Sequence, residues 1–128
     1  MMNTAQLCSE MVKIKTENPP GDTRDCAEFA GAFLESIGIP VSYTAGPAGQ
    51  TNVYSKNQSG ALLLLGHIDV VPAIADGWEY PPYSGEIDET YVHGRGATDM
   101  KGGCAALLSA LAETQDRGVE APVSVALV

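Results

Sequence analysis

Residues 61–69 read Ala-Leu-Leu-Leu-Leu-Gly-His-Ile-Asp, and this stretch decides the fold. A continuous apolar run of this length predicts a strand that is buried on both faces and therefore lies centrally in a sheet. In extended backbone, residues two positions apart point to the same side, so His67 and Asp69 share a face just beyond the strand. Open α/β sheets bind ligands at the carboxyl ends of their strands, which makes this pair a candidate functional site.

Three helices are predicted around this strand. The first follows Asn3, which forms a capping box with Gln6. The second is capped by Asp22 and ends at Gly38, where a left-handed residue is favoured. The third spans residues 100–118, in which apolar side chains recur at helical spacing.

The remaining segments predict further strands and one hairpin. Strands are expected at residues 41–44, 52–55 and 122–128, and the last of these has the same buried pattern as residues 61–66. Residues 86–92 are expected to form a hairpin. Strands that alternate with helices predict a single layered α/β domain over the whole chain.

Composition excludes several classes of function. The 128 residues carry a net charge of −9 without Lys/Arg clusters, so nucleic acid is not an expected partner. The longest aliphatic run, residues 61–65, is too short to span a bilayer, and the N-terminus has no signal-peptide pattern. Cys8, Cys26 and Cys104 form no CxxC pair and are expected to be reduced thiols. We therefore expect a cytoplasmic protein with no membrane partner.

A second carboxylate, Asp99, lies in the glycine-rich segment Gly94-Arg-Gly-Ala-Thr-Asp-Met-Lys-Gly-Gly103. It precedes the third helix, near the positive end of the helix dipole, where a carboxylate is stabilised. Imidazole nitrogen and carboxylate oxygen are suitable ligands for Zn²⁺, Mn²⁺ or Co²⁺. Asp69 can accept a hydrogen bond from the second ring N–H of His67 and so fix the tautomer of the imidazole. Each residue alone also has a simpler interpretation, since His67 and Asp69 could be a hydrogen-bonded pair and Asp99 a helix cap.

Other polar and aromatic residues have simpler expected roles. His93 is predicted to be hydrogen-bonded or solvated, and Lys101 to be a solvated charge. The glutamates in helical segments, including Glu17, are expected on helix surfaces. The aromatic residues of the long loop at residues 72–85 are expected to pack that loop onto the domain.

Four segments together resemble the M20 metallopeptidase family, which includes acetylornithine deacetylase, succinyl-diaminopimelate desuccinylase, aminoacylase and glutamate carboxypeptidase. They are residues 18–21 (Asn-Pro-Pro-Gly), 66–72 (Gly-His-Ile-Asp-Val-Val-Pro), 82–85 (Pro-Tyr-Ser-Gly) with the preceding Trp78, and 94–103. The resemblance covers nearly the whole chain in the family's order. It implies an α/β/α catalytic domain with a mixed, largely parallel sheet that is incomplete at the C-terminus.

The resemblance also implies the roles of three residues. His67 matches a ligand of one of two divalent metal ions, commonly zinc, with cobalt or manganese as alternatives. Asp99 matches the carboxylate that bridges both metals, and Asp69 matches the catalytic aspartate that orients His67. In this family the peptide bond after the bridging aspartate is often cis, so a cis bond is expected between Asp99 and Met100.

The family's general base, the first of two adjacent glutamates, would follow Val128, as would the remaining ligands and a smaller dimerisation domain. We therefore expect residues 1–128 to be the N-terminal part of a longer, homodimeric amidohydrolase, and this part alone to be nearly inactive. The expected substrates are N-acyl amino acids, as for deacetylases and desuccinylases. Two alternatives stay open: a dipeptidase or carboxypeptidase of the same family, and a non-catalytic α/β binding module.

Overall fold

The computed structural model describes residues 1–56, 62–119 and 123–128. It contains three α-helices and four strands within these ranges. In chain order they are α1 (Thr4–Lys13), α2 (Arg24–Ser36), β1 (Val41–Ala45), β2 (Thr51–Ser55), β3 (Leu62–Gly66), α3 (Gly102–Asp116) and β4 (Val123–Leu127). The alternation of helices and strands confirms the predicted α/β class. The predicted first residues of the third and last strands, Ala61 and Pro122, lie outside the described residues.

The helix ends agree with the sequence signals at most positions. Asn3 caps α1: its side chain accepts from Gln6 N, and the Gln6 side chain accepts from Asn3 N, both at 2.9 Å. Gly38 ends α2 in the predicted left-handed conformation, with φ +86°. The start of α2 differs by one residue, because its cap position is Thr23 and not Asp22. The Thr23 hydroxyl donates to Thr51 O at 2.8 Å, so this turn is tied to β2.

The sheet is mixed and has the order β1-β2-β4-β3. β1 pairs with β2 and β2 with β4 in antiparallel register, whereas β3 and β4 are parallel along all five residues of β3. The chain therefore enters the sheet through a hairpin and reaches β3 and β4 in the parallel arrangement that brings their carboxyl ends together. The predicted hairpin at residues 86–92 is reduced to one bridge between Ile87 and Val92.

The position of β3 corrects the sequence-based expectation. Among the described strands β3 has one neighbour, β4, and therefore lies at an edge and not at the centre. Leu63 and Leu65 are 56% and 57% exposed, while Leu64, on the opposite face, packs against the core. An apolar sequence shows that a strand is suited to burial, but it does not show what covers the strand. The described strands and helices cover one face of β3.

The core lies between the sheet and the helices, and α3 contacts both α1 and α2. Buried side chains of the three helices meet those of β2 and β4; they include Leu7, Met11, Leu34, Val53, Leu108, Val125 and Leu127. Cys8, Cys26 and Cys104 are buried and free, in agreement with the prediction of reduced thiols. No helix in the described ranges combines the length and apolarity needed to cross a membrane.

Lys101 corrects another expectation, because it is fully buried and not solvated. Its Nζ donates to the carbonyl of Ile14, the residue that ends α1, at 2.7 Å. Burial lowers the pKa of Lys101, and the nearby thiols of Cys26, Cys104 and Cys8 oppose that shift. A cation at the carboxyl end of α1 also interacts favourably with the helix dipole, which helps to retain this lysine in the core.

Candidate metal centre

The candidate site begins where β3 ends. β3 runs parallel to β4 up to Gly66, and the next residue, His67, leaves the sheet at its carboxyl edge. Ile68 N still donates to Val128 O at 2.8 Å, so the backbone is held to the continuation of β4. A β-carbon on Gly66 would lie 2.7 Å from Cys104 Sγ, so glycine allows α3 to approach this corner closely.

His67 lies between two carboxylates, as its spacing from Asp69 and the motif around Asp99 predicted. Its Nε2 is 2.8 Å from Asp99 Oδ1, and its Nδ1 is 3.1 Å from Asp69 Oδ1. Ionised carboxylates accept hydrogen bonds and cannot donate them, so both contacts are satisfied when each ring nitrogen carries a proton. Residues separated by 32 positions in the sequence therefore converge on one imidazole.

The two carboxylates also determine the protonation of His67. Burial of the ring lowers the pKa of His67, but the hydrogen bond with Asp99 and the interactions with Asp69 outweigh it. The pKa of His67 consequently lies above its ordinary value. Two acidic groups flank one imidazole, which is the electrostatic character expected of a site that attracts cations.

Asp99 reaches the site from a wide helical turn, Ala97–Lys101, that precedes α3. Gly96 begins this turn with φ +85°, and a β-carbon there would lie 2.4 Å from Val70 Cγ1. The Asp99 side chain is 85% exposed and does not cap α3, whose cap position is Lys101. The Asp99–Met100 bond is cis, in agreement with the expectation. The simpler interpretation of Asp99 as a helix cap is therefore wrong.

Two polar residues near the site were not predicted from the sequence. Asn18 Nδ2 donates to Asp69 Oδ2 at 2.9 Å. Glu17 is not on a helix surface, because it follows α1 and accepts from the Tyr83 hydroxyl at 2.6 Å. The hydrogen bond from Tyr83 is the largest of the effects that lower the pKa of Glu17. The sequence signal for Asn18 is the resemblance of the Asn-Pro-Pro-Gly segment to the M20 family.

A cavity of about 450 Å³ opens in front of His67 and the two carboxylates. Its wall includes Trp78 and Arg95, whose guanidinium carbon lies 5.3 Å from the centre of the Trp78 ring. The aromatic loop residues thus pack onto the domain as predicted, with Tyr83 on Glu17 and Trp78 on Arg95. The remaining histidine, His93, is hydrogen-bonded as predicted, with its Nε2 2.6 Å from Asp88 Oδ2.

The donor set fits part of a metal site. His67 Nε2 and Asp99 Oδ1 are adjacent, their chemistry suits Zn²⁺ and similar cations, and Asp69 supports the imidazole from behind. Within residues 1–56, 62–119 and 123–128, no group of three or more His, Cys, Asp or Glu side chains is arranged to hold a metal. The described residues therefore offer two candidate ligands, whereas catalytic zinc sites use three protein ligands with water.

Comparison with known proteins identifies the family. Residues 63–128 match the model of peptidase family M20/M25/M40. Succinyl-diaminopimelate desuccinylase of Hahella chejuensis is 36% identical over 111 residues, covering 84% of this chain and 28% of that protein. The succinyl-diaminopimelate desuccinylase of Methylobacterium nodulans is 40% identical over 106 residues, covering 80% of this chain and 27% of that protein. The chain belongs to peptidase family M20/M25/M40, and membership implies dependence on divalent metal ions.

Solved structures agree with this assignment. The M20 family metallo-carboxypeptidase of Sulfolobus solfataricus superimposes with a TM-score of 0.80 at 27% identity, covering 99% of this chain and 30% of that one. Human carnosine dipeptidase 1 gives a TM-score of 0.75 at 25% identity, covering 97% and 30%. The layered α/β fold is thus that of the family's peptidases. The chain spans less than a third of the length of each of these four relatives.

Proposed function

We propose that residues 1–128 form the N-terminal part of the catalytic domain of a divalent-metal-dependent amidohydrolase. The observation that carries this proposal is the 2.8 Å contact between His67 Nε2 and Asp99 Oδ1, with Asp69 on the other ring nitrogen. Family membership supports the same class of chemistry. The remainder of the catalytic domain, including a glutamate that acts as general base, belongs to the longer protein in this proposal.

In the proposed site, His67 would hold a metal ion through a deprotonated Nε2. Asp99, whose side chain is 85% exposed, would supply the neighbouring oxygen ligands. Asp69 accepts the Nδ1 proton of His67, so the ring is held in the tautomer that presents Nε2 as a ligand. Divalent ions at this site, zinc in our proposal, would polarise the scissile carbonyl and supply an acidified water for hydrolysis.

For the substrate we favour N-acyl amino acids. The support is the similarity to several succinyl-diaminopimelate desuccinylases across 80% or more of this chain. We further propose that the longer protein acts in the cytoplasm as a homodimer, through a domain outside residues 1–128. A second candidate, a dipeptidase or carboxypeptidase, is favoured by the structural similarity to carnosine dipeptidase 1 and to the Sulfolobus metallo-carboxypeptidase.

The test uses the complete protein that contains this segment, loaded with Zn²⁺. Release of free amine from N-succinyl-diaminopimelate, N-acetylornithine and a dipeptide is compared, and we expect the N-acyl amino acids to be hydrolysed faster. His67→Ala should lower kcat/KM about 10³-fold, which corresponds to the several kcal/mol that a metal contributes to transition-state stabilisation.

The matched control is His93→Ala, which removes the other histidine of the chain and should leave kcat/KM within about twofold. Faster hydrolysis of the dipeptide would favour the second candidate. A zinc-loaded protein that hydrolyses none of the three substrates would support the non-catalytic module and overturn the proposal.

A further inference from the structure

The Asp69 carboxylate is held from two sides. Its Oδ1 lies 3.1 Å from His67 Nδ1, and its Oδ2 accepts from Asn18 Nδ2 at 2.9 Å. The proposed function uses the first contact only. The second fixes the remaining oxygen, so the carboxylate cannot rotate about its last bond without breaking one of the two hydrogen bonds.

The backbone places Asn18 beside Asp69. Residues 16–18 run parallel to residues 68–70: Val70 N donates to Thr16 O at 3.0 Å, and Asn18 N donates to Val70 O at 2.8 Å. The buried Thr16 hydroxyl donates to Ile68 O at 2.6 Å and closes this short ladder from the side. These contacts hold the two segments in register, so the Asn18 amide reaches Asp69 from a fixed position.

The chemistry of the contact determines which group Asn18 presents. An ionised carboxylate only accepts hydrogen bonds, so the asparagine must face Asp69 with its NH₂ group and not with its oxygen. A donor at this place holds Oδ2 of Asp69 and leaves Oδ1 directed towards the histidine. An acceptor at the same place would repel the carboxylate and turn it away from His67.

We propose that Asn18 is a positioning residue for the metal centre, acting through Asp69 on the orientation of His67. This inference depends on the proposed function, because it gives the orientation of His67 a role in metal binding and hydrolysis. Partners that orient a metal-bound histidine contribute about 10–100-fold to metal affinity or activity. Asn18 is one hydrogen bond further from the proposed metal, so we expect effects at or below the lower end of that range.

The test compares two substitutions in the complete, zinc-loaded protein. Asn18→Asp keeps the shape of the side chain but replaces the donor with an acceptor, and it should lower kcat about tenfold. Asn18→Ala removes the donor without adding repulsion, and it should lower kcat about threefold. KM should change less than twofold in both variants, and Zn²⁺ affinity should fall in the same order as kcat.

A larger loss for Asn18→Asp than for Asn18→Ala separates a positioning role from a packing role. A packing role would make the isosteric Asn18→Asp the milder change. The matched control is Asn3→Asp, because the Asn3 side-chain oxygen accepts from Gln6 N and an aspartate can do the same. Asn3→Asp should therefore leave kcat and Zn²⁺ affinity unchanged. If Asn18→Asp does not fold, which its thermal transition would reveal, Asn18→Ala decides by the same kcat, KM and Zn²⁺ measurements.

Two results would overturn the inference: wild-type kcat and Zn²⁺ affinity in the folded Asn18 variants, or a loss confined to KM, which would make Asn18 a substrate contact. The outcome for His67→Ala separates this failure from failure of the proposed function. If His67→Ala is inactive and the Asn18 variants are normal, only the role of Asn18 is wrong. If His67→Ala is as active as wild type, the proposed function itself is wrong.

Discussion

The two halves of the segment at residues 62–70, namely 62–65 and 66–70, differ more in solvent exposure than their sequence suggests. Leu63 and Leu65, in the first half, are more than half exposed, whereas Ile68, three residues after Leu65, is completely buried. Among the described strands, the first half pairs with β4 and has no partner on its other side. The second half, residues 66–70, is hydrogen-bonded both to the end of β4 and to residues 16–18.

This difference shows that neighbours, and not apolarity alone, decide which part of a strand is fixed. The candidate metal centre lies on the enclosed half, where several backbone contacts hold the polar side chains in place. Sites need such support, because a misplacement of about 1 Å can reduce a catalytic rate by orders of magnitude. The following predictions test whether the enclosed half is as firmly held as its contacts indicate.

The largest effect on stability should come from the core of the enclosed half. Ile68→Ala should lower the free energy of unfolding by about 2–5 kcal/mol, because it removes buried methyl groups and leaves a cavity. Leu63→Ala should change it by about 0.5 kcal/mol or less, as for most exposed positions. Urea denaturation of the 128-residue chain measures both. Equal losses for the two variants would contradict the contrast between the halves.

A smaller effect is expected at the ladder between the enclosed half and residues 16–18. Thr16→Val keeps the side-chain volume but leaves Ile68 O without its hydroxyl donor, which should cost about 1–2 kcal/mol. Thr114→Val is the control, because the Thr114 hydroxyl donates to carbonyls of its own helix, and it should cost about 0.5 kcal/mol or less. If the two valine variants unfold at the same urea concentration, the ladder does not stabilise the site.

The smallest effect should come from the partly exposed pair of Asp88 and His93. The hydrogen bond from His93, with those from Thr90 N and Tyr91 N, lowers the pKa of Asp88 to about 2. A carboxyl group with a lowered pKa stabilises the fold above its unfolded pKa, and this contribution is lost as the pH falls from about 4 towards 2. Asp88→Asn should therefore flatten part of the acid dependence of the thermal transition. An unchanged acid profile in this variant would show that the pair contributes nothing.

Much of the site follows from the sequence, because its determinants are local. The spacing of His67 and Asp69 puts both on one face, whereas the pairing of Asp99 with them follows from the resemblance to the M20 family. The capping box at Asn3 and the left-handed Gly38 were likewise predictable, since each depends on a few adjacent residues. The mixed α/β fold follows from the order of its elements and from the resemblance to the M20 family.

The parts that could not be predicted depend on contacts between distant segments. Lysine is usually a surface residue, and the burial of Lys101 follows only from the packing of the turn before α3 against the end of α1. Glu17 and Asn18 belong to a connecting segment, and their partners lie more than 50 residues away. An apolar run likewise does not specify how many neighbours a strand has, so the edge position of β3 among the described strands does not follow from its sequence.

The central claim is that His67 and Asp99 hold a metal, and Zn²⁺ affinity tests it most directly. Competition with a chromophoric chelator can measure this affinity in the complete protein and in its His67→Ala, Asp99→Ala and His93→Ala variants. We expect loss of either ligand to weaken Zn²⁺ binding about 100-fold, as when one of a few ligands is lost from a zinc site. His93→Ala should bind as the wild type does. Wild-type Zn²⁺ affinity in the His67→Ala variant would contradict the account.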